Sequence, residues 1–168
     1  MPRYDPDRIQ LTTDNAMQIA SEALGPLARF LEIARSVCDE DADKIIIMVS
    51  IVLRTSLHPD YRSLTPEDVE HGGVELLPGL GVNITSLAAS TGIPRETVRR
   101  KVRDLAEMGW VVRTERSICY TRQGYLAVAP IRDAIVRLLV RAFEIEEDLL
   151  RSARQEQAVQ KEARRPSA

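Results

Sequence analysis

The stretch from Asn83 to Gly109 constrains the fold more than any other part of the 168-residue chain. Asn83 is a strong N-cap residue and predicts a helix over residues 84–90. Gly92 stands where the chain must leave that helix through a left-handed conformation, which glycine adopts without steric cost. Ile93 is placed to plug the corner, and Pro94 opens a second helix, where its fixed φ and missing N–H do no harm. In that second helix Val98, Val102 and Leu105 recur at steps of four and three and so share one inward face. Gly109 ends it. Two helices joined this tightly must cross and bury a common core, with Leu87 and Ala88 on the first helix facing the second.

The side of the second helix turned away from that core carries Arg95, Glu96, Arg99, Arg100 and Arg103, with Thr97 near the tip. Trp110–Arg113 and Ile118–Thr121 then read as two short strands around residues 114–117, with Arg113 and Arg116 on or near the hairpin. A helix held by an apolar face and rich in arginine on its free side suits a major groove. There Arg pairs with guanine O6 and N7, Glu accepts from cytosine, and Thr meets the thymine methyl. Arg113 and Arg116 are expected at phosphates or the minor groove.

Net charge decides little by itself. The total is −2, but residues 1–80 sum to −7 and residues 81–168 to +5. Eight basic and four acidic residues fall within 95–122, and a local basic patch sets phosphate affinity more than the total does.

The flanks are helical in pattern. Residues 1–13, with prolines and no periodicity, predict a flexible N-terminal arm. Met17, Ala20, Leu24, Leu27, Leu31 and Ala34 then recur at helical steps, interrupted by Gly25-Pro26, which predicts a kink or two short helices. The segment 39–43, acidic at every position but Ala42, leads into a helix through Thr55, whose Ile45–Val49 run is apolar all round and predicts burial on most sides. Together these make residues 14–56 a helical region. Residues 57–82, rich in Pro and Gly, predict an irregular connector with one short helix after Thr65-Pro66. A winged unit over 83–124 follows. The span 125–155 predicts a long C-terminal dimerisation helix, with Ile131, Ile135, Leu138, Ala142, Ile145 and Leu149 on one stripe and Val136, Val140, Phe143 and Leu150 on a second. That is more apolar surface than one neighbouring helix covers, and a second copy of the chain is the natural partner. Residues 156–168 predict a disordered tail.

At Leu87-Ala88, Thr91–Arg100, Leu105, Gly109-Trp110 and the basic hairpin, the chain resembles the winged helix-turn-helix of bacterial transcription regulators, the MarR-like group most nearly. The likeness covers about a quarter of the chain closely. It implies a mainly α fold with a small β-wing, flanked by N- and C-terminal dimerisation helices, with residues 14–56 as the N-terminal dimerisation region, and a homodimer that binds double-stranded DNA at a pseudo-palindromic site. A small-molecule effector held between the dimer helices and the DNA-binding lobes is compatible with this reading. The competing function is a winged-helix protein-interaction module that never touches DNA.

Other functions find little support. Cys38 is followed by Asp39, Glu40 and Asp41, which disfavour a thiolate, and Cys119 sits in a strand, so neither reads as a redox sensor. Two distant cysteines make no disulfide framework, which suits the cytoplasm. His58 and His71 lack partners at metal-ligand spacing. There is no phosphate loop, nucleophile elbow or pair of carboxylates in apolar surroundings, so neither an enzyme nor a cofactor is expected. The first ten residues lack the apolar run of a secretory signal, and Ile45–Leu53 is shorter than the about 20 residues that span a bilayer, so no membrane is expected.

Overall fold

The computed structural model describes residues 6–115 and 117–163, which divide into two compact units. One unit holds residues 32–132 and the other combines the N-terminal residues to Leu31 with those from Asp133 onward. Among the described residues the protein is mainly α with one two-stranded antiparallel sheet, a winged-helix-like fold.

The central unit is built on α3 (Ala42–Ser56). Asp41 caps it, accepting from the Lys44 amide at 3.1 Å. Ile47, Met48 and Ile51 are buried against α6 (Ile84–Thr91), α7 (Arg95–Glu107) and β2 (Ile118–Tyr120). This departs from the expected grouping: α3 belongs with the winged unit, because its apolar side completes that core. The expected burial on most sides is also only half realised, since Ile46, Val49 and Leu53 face outward at 45–57% exposure.

Asn83 and Ser86 form a reciprocal capping box at the start of α6, and Gly92 ends that helix at φ 72°. α7 follows Pro94, which caps it from outside, and Gly109 at φ 74° turns the chain into β1 (Val111–Arg113). β1 pairs with β2 in the register Val111↔Tyr120, Val112↔Cys119 and Arg113↔Ile118.

The connector is more ordered than its composition suggests. It forms α4 (Pro59–Ser63) and α5 (Pro66–His71), the latter with a Thr65–Asp68 capping box. It then runs along the free edge of β2. Leu77 N–H donates to Tyr120 C=O at 2.9 Å and Ile118 N–H to Val82 C=O at 2.6 Å. The Pro/Gly residues supply the turns of a segment fixed at both ends. Arg122, at the start of α8 (Arg122–Ala127), donates from Nε to the Val69 carbonyl at 2.7 Å and from Nη2 to that of Glu70, so the end of α5 is tied down.

In the other unit, α1 (Pro6–Asp14) occupies most of the expected flexible arm. Pro6 stands at its first position, where a missing N–H costs nothing, and Thr13 Oγ1 bonds back to the Ile9 carbonyl at 2.8 Å. α2 (Ala16–Val37) is continuous through Pro26, so two separate helices are excluded. Gly25 has no Cβ to clash with the following ring, which lets the helix pass at the loss of one backbone hydrogen bond. α9 (Ala129–Ala163) runs well into the expected disordered tail, over residues that are mostly good helix formers. Residues 164–168 lie outside the described residues.

Candidate nucleic-acid interface

α7 is fixed from one side by three side chains, Val98, Val102 and Leu105, each 0% exposed. At 100° per residue the other positions follow. Arg100 stands nearly opposite this core, Glu96 and Arg103 close to it, Arg99 about 90° to one side, and Lys101 about 70° to the other. Arg95, Glu96, Arg99, Arg100 and Arg103 are all exposed, and Thr97 is half-buried on the Lys101 side. The cationic face therefore points into solvent.

Local electrostatics divide these residues. Glu96 meets Arg99 at 3.2 Å and Glu107 meets Arg103 at 3.8 Å, both exposed pairs of one helix. Such pairs contribute about 0.3–0.5 kcal/mol and give way readily to a better anion. Among the described residues neither Arg95 nor Arg100 has a carboxylate within ion-pair distance, so their guanidiniums are available. Arg113 is exposed at the end of β1, opposite Ile118. Thr114 and Ser117 are bonded to each other across the hairpin, Thr114 N–H donating to the Ser117 carbonyl at 2.8 Å and Ser117 N–H to Thr114 Oγ1 at 3.0 Å. Arg116 lies outside the described residues.

Lys101 departs from its neighbours. It is one of the eight basic residues within 95–122, yet its side chain is 15% exposed and its ammonium bonds Asp41 at the start of α3. Burial alone raises the Asp41 carboxyl, but hydrogen bonds from Lys101 and the Lys44 amide outweigh it and hold the group below its usual range. Beside it, the buried Lys44 meets Asp39 at 2.9 Å, and that bond lifts its ammonium above the usual lysine range against the cost of burial. No local signal marks this corner, because its two sides stand sixty residues apart in sequence.

Cys38 is fully buried and its thiol is pushed up to about 11, chiefly by desolvation, which suits an inert packing residue. His58 caps α4, its Nδ1 accepting from the Asp60 amide at 3.2 Å. Among the described residues no group of three His, Cys, Asp or Glu side chains is placed to hold a metal, and no helix is long and apolar enough to cross a membrane. A mostly apolar cavity of about 310 Å³ lies within the terminal helical unit, lined by Leu11, Ile19, Ala23, Ala142, Ile145 and Leu149 together with Arg8, Thr12 and Glu146.

No protein-family model matches the chain, and no curated protein does. Among solved structures, the crystal structure of a candidate transcriptional regulator protein from Pseudomonas aeruginosa is similar at 18% identity, covering 91% of this chain and 99% of its own, with a TM-score of 0.40.

Proposed function

We propose that this chain is a sequence-specific, double-stranded-DNA-binding transcriptional regulator that works as a homodimer on a pseudo-palindromic site. One observation carries the reading: the outward arginine row of α7, on a helix anchored from behind by Val98, Val102 and Leu105. α7 enters the major groove, with Arg95, Thr97, Arg99, Arg100 and Arg103 at base edges or nearby phosphates and Glu96 within reach of a cytosine amino group. The hairpin follows the backbone or minor groove through Arg113, and Arg116 is assigned the same role. The reading is of a binding protein of the bacterial cytoplasm, MarR-like in organisation, and not of an enzyme.

The homodimer is supported by the apolar side chains left uncovered on the terminal helices. On α2, Met17, Ala20, Leu24, Leu27 and Leu31 recur at alternating steps of three and four, and all are exposed, Met17 at 88%. A strict 3.5-residue stripe is the seam of a helix pair. On α9, Val136, Leu139, Val140 and Phe143 are 51–64% exposed. A second reading, regulation by a small apolar effector, is favoured by the cavity beside Leu11 and Ile145. Saturable thermal shifts by apolar compounds, lost on Ala23→Phe, would support it.

The test is selection from a randomised duplex pool, then titration of the selected site at rising salt. Specific binding that weakens between 50 and 200 mM salt by about 10³-fold, as about six phosphate contacts require, supports the reading. Selection that enriches no sequence, with no salt-sensitive duplex binding, leaves the protein-interaction module instead.

A further inference from the structure

We infer that Asp41 and Lys101 are a positioning pair for the DNA-reading helix: their bond fixes the roll of α7 about its own axis, and with it the direction in which Arg99, Arg100 and Arg103 point. The inference rests on the proposed function for its consequence, but its geometry stands independently.

Val98, Val102 and Leu105 hold α7 from directly behind. Apolar contacts are non-directional, so a narrow stripe of them resists translation better than it resists rotation. A hydrogen-bonded ion pair about 70° off that stripe supplies the missing constraint, because rolling the helix either way would break it. Lys101 meets this geometry, with both partners little exposed, at 15% and 19%. The carboxylate is itself held. Its Oδ1 accepts from the Lys44 amide at 3.1 Å, so Asp41 is fixed to the first turn of α3 and cannot follow α7 if that helix turns. The turn before it is also constrained: Asp39 and Glu40 adopt φ 54° and 60°, and Asp39 is bonded to the buried Lys44 at 2.9 Å. Asp104, one turn beyond Lys101 on the same flank of α7, adds its charge to that corner.

The lever is long enough to matter. A side chain reaching about 5–6 Å from a helix axis moves about 1.5 Å when the helix rolls by 15°. A base-reading constellation tolerates about 0.5 Å. Phosphate contacts, being diffuse and salt-screened, tolerate far more. Loss of the pair is therefore expected to erode discrimination between sequences while sparing general DNA affinity.

Asp41→Asn and Lys101→Met test this. Asn keeps one acceptor oxygen for the cap on α3 and puts an NH2 donor where Oδ2 met Lys101, so the first variant removes the bond to Lys101 and spares the cap. Each variant is expected to lower the ratio of selected-site to random-duplex affinity by about tenfold, the size of one lost base contact, with the salt slope unchanged. The double variant should be no worse than either single one. If Lys101→Met instead lowers the salt slope by about one and weakens all duplexes alike while Asp41→Asn does nothing, Lys101 is a phosphate contact and the inference is overturned. Relaxation dispersion of the α7 amides in the free protein gives a reading without DNA, expected to grow in both single variants. Unchanged dispersion overturns the inference. Should the wild-type chain discriminate no sequence, the proposed function falls, and dispersion still decides the positioning role.

Discussion

Asp41 divides its carboxylate between two helices, one oxygen accepting from the Lys44 amide at the start of α3 and the other from the Lys101 ammonium in the middle of α7. A single short side chain thus joins the scaffold helix of the winged unit to the helix that carries its arginines.

The charge state of this corner gives stability a defined pH dependence. Asp41 is held below the ordinary carboxylate range, so its contribution is present above the unfolded value of about 4 and is lost as pH falls through the folded one. Lys44 is raised, so its contribution is complete below the unfolded value of about 10.4 and is lost as pH climbs past it. The urea midpoint is expected to be flat between about pH 5 and 9 and to fall on both sides. In Asp41→Asn the acid-side fall should be shallower; a fall as steep as in the wild type would show that other carboxylates cause it.

Two glycines separate backbone strain from crowding. An added Cβ at Gly92 meets nothing within 4 Å, so Gly92→Ala is charged only for its left-handed backbone, about 1–2 kcal/mol. At Gly124 the backbone is ordinary, but a Cβ would lie 2.4 Å from the Trp110 carbonyl oxygen and 2.8 Å from the Tyr120 ring. Gly124→Ala must push apart the α8–wing junction and is expected to cost more, about 3 kcal/mol. Urea unfolding of both variants checks the order, and a Gly92 variant less stable than the Gly124 one would reverse it.

What the sequence made legible was the part governed by local rules. Asn83, Gly92, Pro94 and Gly109 each act on the backbone within a few residues, and the helices and wing fall where they indicate, within a residue or two. Val98, Val102 and Leu105 face inward because their spacing leaves them no other common side. Where expectation and structure part, a distant partner decides. Residues 74–82 look irregular in isolation and acquire order only by pairing with β2. Ile46, Val49 and Leu53 look like core until Ile47 and Ile51 are seen to take the inward side of α3. Lys101 looks like one more surface cation because nothing near it in sequence announces Asp41.

Within the proposed interface Arg100 is expected to matter most. It stands farthest from the helix core and has no carboxylate partner among the described residues, whereas Arg99 and Arg103 must exchange Glu96 and Glu107 for DNA. Arg100→Ala should cost about 1–3 kcal/mol in binding the selected site and relax the preference at one base pair. Gel-shift titration of Arg100→Ala and of the Arg99→Ala/Arg100→Ala pair checks this. No loss in the double variant would remove α7 from the interface.

The terminal helices supply the last expectation. Val136, Leu139, Val140 and Phe143 leave half or more of their surface open, as do Met17, Leu24 and Leu31 on α2. A fully exposed side chain of this kind gains about 1.5–3 kcal/mol on burial, so covering the open half contributes about 1 kcal/mol each, and a seam that covers several on each of two copies offsets the entropy of association. The chain of 18.8 kDa is therefore expected to sediment as a dimer at micromolar concentration. Replacing Val136 and Phe143 together by Asp places charges in the seam, where they have no partner, and should yield folded monomers with the helical signal retained. Those monomers should bind a half-site as the wild type does and lose the added affinity that a second half-site about 34 Å away confers. A doubly substituted chain that stays dimeric would mean that two copies meet elsewhere.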